Sequence, residues 1–181
     1  MPDAATENET VTLKDGVTVT IRAIRPDDKA GIFEAFRNLQ PESIYSRFFY
    51  QKKTLTVEEL KSLTEVDFEN EVALVVTIGG GEKETIIGVG RFARLDNSAG
   101  RRSAELAFTV EEDFHGQGIA GCLLERLACL AREKGISLFE AEILAENQAM
   151  IAVFARSGFP MKQSMSGGVV HVTLSLTDTM P

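Results

Sequence analysis

The stretch Ser103-Ala-Glu-Leu-Ala-Phe-Thr-Val-Glu-Glu-Asp-Phe-His-Gly-Gln-Gly-Ile-Ala-Gly121 decides how the rest of the chain is read. Its first half alternates, with Ala104, Leu106, Phe108 and Val110 set against Ser103, Glu105, Ala107 and Thr109. That is the period-two pattern of a strand with one buried face. The strand holds one carboxylate, Glu105. Then Gly116, Gly118, Ala120 and Gly121 open a long amphipathic helix over residues 117–134, with Ile119, Leu123, Leu127 and Leu130 as its apolar stripe. Small residues at a helix start let a ligand reach the free backbone N–H groups there, and the helix dipole favours an anion at that end. A candidate base thus stands beside a candidate phosphate cradle.

Downstream, Gly135 suits the position just past the helix, and residues 138–144 read as the next strand. A helix crossing between two strands predicts that they run parallel. Asn147 is placed to cap a helix over 147–157 that Gly158 ends, and residues 169–176 form a last strand after the Gly167-Gly168 turn. Upstream, residues 72–78, 85–95 and 103–110 predict an antiparallel meander, joined by Gly79-Gly80-Gly81 and by the polar turn 96–100. Residues 11–24 read as a hairpin turning at Asp15-Gly16. Pro26 opens a helix with Asp27 and Asp28 in its first turn and Ile32, Phe33, Phe36 and Leu39 on its apolar face. Pro41 interrupts it, and residues 42–49 follow as a helix or turn. Thr56 and Glu59 fit a capping box ahead of Leu60 and Leu63.

These elements predict an α/β (α+β) fold in one domain: a mixed, mostly antiparallel twisted sheet with helices on both faces. Residues 1–9 are polar without periodicity and predict a disordered tail, leaving 10–181 as the domain. The chain has 181 residues, 44% hydrophobic and 25% charged, which is ordinary globular composition. A net charge of −8 argues against nucleic acid as a partner and mildly favours a cationic substrate. The absence of a long apolar run argues against a membrane role, and the polar N-terminus lacks the features of a signal peptide. Together with only two cysteines this predicts a cytoplasmic protein. Cys122 and Cys129 share a helix face and read as packing, so no metal site is expected. No oligomeric state follows from the sequence.

The element order and the segment His115-Gly-Gln-Gly-Ile-Ala120 resemble the GNAT superfamily of N-acetyltransferases, whose acyl-CoA motif is Gln or Arg, two residues of any kind, Gly, one of any kind, then Gly or Ala. Gly118 and Ala120 match it, while His115 stands where Gln or Arg is usual. A closer resemblance is to the catalytic domain of bacterial Pat-type protein-lysine acetyltransferases. It lies in Ile21-Arg-Ala-Ile-Arg-Pro-Asp-Asp28, Pro41-Glu-Ser-Ile-Tyr-Ser-Arg-Phe-Phe49, and Leu144-Ala-Glu-Asn-Gln-Ala-Met150 running on to Gly158-Phe159.

The resemblance implies an acyl-CoA cleft, with acetyl-CoA as co-substrate, between strands 103–110 and 138–144. The pantetheine amides would pair with backbone near Phe108, Thr109 and Val110. The pyrophosphate would rest on N–H groups of Gly116, Gln117, Gly118, Ile119, Ala120 and Gly121, with His115 either beside it or an incidental loop residue. Backbone donors suit a loop that offers no Lys or Arg. An amine would attack the thioester directly in a ternary complex. A free lysine amine has a pKa of about 10.4, so a general base is useful. Glu105 matches the family's catalytic carboxylate. Its apolar strand neighbours predict partial burial, and burial disfavours a charged carboxylate, suiting it to take up a proton near neutrality. The bland alternative is a Glu on a solvated strand face.

Other positions keep two readings. Asn147 either caps its helix or contacts the pantetheine arm. Phe154 occupies the position where many family members have a proton-donating Tyr; it lines the cofactor site without an acid to offer, and a thiolate leaves adequately unaided. Arg47, Phe48 and Phe49 either wall the acceptor site or pack a helix. Glu142 is the reserve base, and His171 has no assigned role. For the acceptor, a protein lysine leads, a small amine is the second reading, and a catalytically silent acyl-CoA-binding module the third.

Overall fold

The computed structural model describes residues 8–37, 56–79, 84–95, 102–110, 116 and 118–176. Strands β1 (Asn8–Thr12) and β2 (Thr18–Ala23) pair antiparallel on either side of the Asp15-Gly16 turn. Strand β1 begins at Asn8, so Asn8 and Glu9 belong to the sheet, paired with Arg22 and Ile21, rather than to a tail. An edge strand is largely solvated and tolerates polar residues, which is why no periodicity marks its start. A 3-10 turn (Pro26–Asp28) leads into α1 (Lys29–Arg37), where Ile32 is buried and Phe33 half-buried. Helix α2 (Val57–Thr64) begins with the expected capping box. Thr56 Oγ1 accepts from the Glu59 amide at 3.1 Å and Glu59 Oε1 from the Thr56 amide at 2.9 Å. The readings of Leu39, Pro41, residues 42–49 and the turns 80–81 and 96–100 lie outside the described residues.

Strands β3 (Glu71–Ile78), β4 (Thr85–Arg94) and β5 (Ser103–Val110) form the antiparallel meander. Helix α3 (Ile119–Glu133) then crosses over to β6 (Leu138–Leu144), which lies parallel to β5. Helix α4 (Gln148–Ala155) precedes β7 (Met161–Ser166) and β8 (Val169–Ser175). The sheet order is β1-β2-β3-β4-β5-β6-β8-β7. Strand β7 has no counterpart in the sequence reading. Its Met-Lys-Gln-Ser-Met-Ser is exposed over nearly its whole length at the sheet edge, so no hydrophobic alternation marks it.

Both faces of the sheet are covered, but unequally. Helix α3 packs Leu123, Leu127 and Leu130 against Leu74, Phe92, Leu106 and Phe108. On the other face, Ile32 of α1 with Leu60 and Leu63 of α2 covers Ala73, Val75 and Ile86 of β3 and β4. There Arg22, buried on β2, makes a two-pronged contact with buried Asp28 at 2.9 and 2.8 Å and reaches Glu84 at 2.9 Å. Asp28 Oδ2 also accepts from the Arg25 amide at 2.7 Å, which ties the start of the helical segment to β2. Burial pushes the Asp28 carboxyl up, but the hydrogen bonds from Arg22 and the Arg25 amide outweigh it and hold the group below its ordinary value.

Asp28→Ala should therefore lower the unfolding free energy by about 3 kcal/mol at pH 7, since it leaves a buried guanidinium short of a partner. A carboxyl held low in the folded protein stabilises above its unfolded pKa of about 3.9 and loses that share as pH falls through the folded value. In urea titrations the gap between wild type and variant should narrow below about pH 4. A gap that stays constant from neutral pH into acid refutes this account.

Candidate active site

Strands β5 and β6 pair only at Ser103–Leu138, Ala104–Phe139 and Glu105–Glu140. Beyond Glu105 the ladder ends, and the edge of β5 from Leu106 onward faces a cleft of about 600 Å3 instead of a strand. The cleft is closed on one side by the start of α3 and on another by α4, which presents Ala149, Met150, Ala152 and Val153. On the α3 side of the sheet, the buried ring of Phe154 from α4 packs against Phe108 of β5, ring centres 6.0 Å apart and tilted by 46°. Phe154 is thus a core side chain that also forms part of the cleft wall, and its place in the aromatic pair explains a ring there without a hydroxyl.

The expected residues converge on this cleft. Glu105, Phe108, Thr109, Val110, Gly116, Gly118, Ile119, Ala120, Gly121, Asn147 and Phe154 all line it, as does Glu142. His115 and Gln117, together with Arg47, Phe48 and Phe49, lie outside the described residues. Gly118 caps α3 with φ of +91°, in the left-handed region that side chains avoid. Asn147 caps α4, its Oδ1 accepting from the Met150 amide at 3.2 Å, so capping is the role seen in its geometry. Cys122 packs half-buried on the core, and burial first, then Glu125, pushes its thiol up, away from reactive thiolate.

One expectation fails. Glu105 is exposed, so the partial burial anticipated from its apolar neighbours is absent. Those neighbours, Ala104 and Leu106, point to the α3 face, whereas Glu105 points to the other face, where among the described residues the apolar cluster under α1 and α2 takes in Ile24, Ala73, Val75 and Ile86 and no residue of β5. Glu105 lies in a cross-strand row with Ala93, Glu140, Thr173 and Lys162. His171, given no role by the sequence, stands between two carboxylates, its Nε2 3.3 Å from Glu140 Oε1 and its Nδ1 3.9 Å from Glu142 Oε2. Nearby, Arg91 pairs with Glu71 at 2.6 Å. Burial pushes the Arg91 guanidinium down from its ordinary value, against the attraction of Glu71 and Glu105.

A model of the acetyltransferase (GNAT) domain matches residues 18–160. The chain belongs to the GNAT acetyltransferase family. It is 29% identical over 172 residues to the acetyltransferase Pat of Mycolicibacterium smegmatis, covering 94% of this chain and 50% of that protein. The chain therefore spans half the length of that relative. The crystal structure of the GNAT domain of Streptomyces lividans PAT superposes with a TM-score of 0.83 at 35% identity, covering 93% of this chain and 96% of that one. The fold is shared as well with a putative acetyltransferase from Salmonella typhimurium solved with acetyl-CoA, at a TM-score of 0.70 and 22% identity over 90% and 96% of the two chains.

Acetyl-CoA is the donor that GNAT acetyltransferases use, and the cleft fits it. Gly121 sits in the first turn of α3 at ordinary helical geometry, and a Cβ built on it would meet nothing within 4 Å. Nothing in the protein's own packing calls for glycine there, although glycine weakens a helix. The space a side chain would take is open space on the cleft wall at the start of α3. Two cationic lining residues have no counterpart in the sequence reading: Lys14, from the β1–β2 turn, and Arg156, at the end of α4. Both reach the cleft through tertiary folding that no local pattern announces.

Gly121→Ala separates the two demands. It should raise the unfolding free energy by about 0.5–1 kcal/mol while weakening acetyl-CoA binding in a titration. Affinity equal to wild type would show that the ligand does not approach this turn.

Proposed function

We propose that this chain is an acetyl-CoA-dependent protein-lysine N-acetyltransferase with Glu105 as its general base. The observation that carries the reading is the place of Glu105: it occupies the last rung joining β5 to β6, at the point where the cleft opens. Two further observations support a cationic acceptor. Glu105, Glu140 and Glu142 share one face of the sheet, two of the three being exposed and Glu140 partly so. And the relatives reported above include two Pat proteins.

The donor supplies an acetyl group activated as a thioester. The chain's part is to bind, orient and take a proton. The β5 edge from Leu106 onward would receive the pantetheine amides in the manner of an added strand. The N–H groups at the start of α3 would face the pyrophosphate. A lysine arrives as an ammonium, attracted by the carboxylates, and must lose a proton before its lone pair can attack the acetyl carbon. The Glu105 carboxylate takes that proton. The new bond is N–C, the broken one is C–S, the sulfur leaves with the electron pair as a thiolate, and the second proton, shed as the nitrogen becomes an amide, passes to solvent or to that thiolate. Phe154 offers no acid, and a thiolate with a conjugate-acid pKa of about 8.5 leaves without one. Among the described residues no helix is long and apolar enough to cross a membrane. Two free cysteines fit a reducing cytoplasmic setting, which this reading assigns to the protein.

Incubation with acetyl-CoA and a bacterial lysate, followed by mass spectrometry, should reveal lysines acetylated above the no-enzyme background. A panel in which only small amines are acetylated would move the assignment to a small-molecule transferase. Glu105→Gln should lower kcat by about 100-fold or more, the usual worth of a general base, and leave acetyl-CoA affinity within about twofold, because the carboxylate sits on the acceptor side. Unchanged turnover at neutral pH would remove Glu105 from the mechanism.

A further inference from the structure

We propose that Lys14, on the turn between β1 and β2, is a direct ligand of the acyl-CoA diphosphate. The inference rests on the acyl-CoA reading of the cleft, and it adds a residue from outside the matched family segment, which begins at residue 18.

Geometry puts Lys14 where the charge is needed. It lines the cleft, and a Cβ built on Gly118, the cap of α3, would lie 3.9 Å from Lys14 Cε. The ammonium is one bond beyond that carbon. The side chain is exposed and forms no ion pair among the described residues, so it is available to a ligand. The turn that presents it is held firmly. Leu13 is buried in the core beneath α3. The Leu13 amide donates to Val17 O at 2.8 Å, the Gly16 amide to Leu13 O at 3.0 Å, and the Val17 amide to Asp15 Oδ1 at 3.0 Å. Further along β1, Glu9 pairs with Arg126 of α3, so the hairpin lies along the helix with Lys14 towards its N-terminal end.

The chemistry explains why such a residue is wanted. The loop between β5 and α3 contains Glu111, Glu112 and Asp113 and no Lys or Arg, in a chain of net charge −8. A diphosphate arriving at the α3 N-terminus meets backbone donors but a locally acidic sequence. Backbone dipoles alone must overcome that repulsion unless a cation comes from elsewhere. Lysine suits the task as a mobile point charge on a flexible stem that can follow a polyanion.

The test measures binding, independently of turnover. Acetyl-CoA, dephospho-acetyl-CoA and acetyl-pantetheine are titrated calorimetrically into wild type, Lys14→Gln and Lys14→Arg. Lys14→Gln should weaken acetyl-CoA and dephospho-acetyl-CoA alike, by roughly tenfold as expected for a charge-assisted contact, and leave acetyl-pantetheine unchanged. Lys14→Arg should restore most of the loss, and the glutamine variant should show a shallower salt dependence. Equal affinity of wild type and Lys14→Gln for acetyl-CoA overturns the proposal. So does an equal loss on acetyl-pantetheine, which would mean that the turn is merely structural. A loss confined to acetyl-CoA would put the lysine on the 3′-phosphate and overturn the diphosphate assignment. Failure of wild type to bind acetyl-CoA at all would instead sink the cleft reading, and Lys14's role with it.

Discussion

The parting of β5 and β6 after Glu105 is the constraint on which the rest of the molecule depends. Two parallel strands that stop pairing after three residues give up backbone hydrogen bonds, and buried backbone groups left unpaired are costly. The sheet sustains this because each strand is secured along its other edge. Strand β5 pairs with β4 from Ala104 to Val110, and β6 pairs with β8 along its full length from Leu138 to Leu144. Past the last rung, Phe108 of β5 packs against Phe154 of α4 in the core on the α3 side, which closes the floor of the opening with an aromatic contact. A cleft lined by the edge of a strand follows without any loop having to build it.

Around that opening, the N-terminal third acts as a brace. The buried Arg22 links β2, the start of the α1 segment through Asp28, and Glu84 next to β4. These contacts account for Arg22 and Asp28 in the stretch Ile21-Arg-Ala-Ile-Arg-Pro-Asp-Asp28 as structural positions: a buried guanidinium requires its carboxylates, and a carboxylate that also takes the Arg25 amide ends the strand and starts the helical segment. On the opposite side of the sheet, the β1–β2 hairpin presses Leu13, Val17 and Val19 onto the core beneath α3. One hairpin thus fixes both the helix that covers the front of the meander and the turn that overlooks the cleft.

What the sequence revealed, and what it hid, follows from how local each cause is. The α3 stripe, the Thr56 box, the Asn147 cap and the alternation of β5 are short-range patterns, and all appear in the structure as read. The parallel placement of β6 followed from the crossover, but its early end did not, because no local pattern in either strand marks where the pairing stops. Strand β7 was invisible because an exposed edge strand has no apolar face to alternate. The exposure of Glu105 was misjudged for a related reason. Alternation tells which residues share a face but not whether a helix covers that face, and among the described residues the cluster under α1 and α2 includes none from β5. Lys14 and His171 lie far in sequence from the residues they stand beside, so only the folded chain brings them to the site.

The cleft is also divided by charge, and the division follows from the alternation of a strand. Residues of β5 and β6 that face α3 are apolar, and beyond them, at the helix start, stand backbone N–H groups and Lys14. Residues that face the other way include Glu105, Glu140 and Glu142. Under the proposed reading, an anionic donor and a cationic acceptor would be drawn to opposite faces of the same opening and would meet only where the strands part. Were the carboxylates on the helix side, they would repel the diphosphate and neutralise the dipole that attracts it. Under the proposed reading, the period of two that makes β5 a strand also separates the two substrates. Glu105, as the last residue of β5 still paired to β6, is the carboxylate that this reading puts at their meeting point.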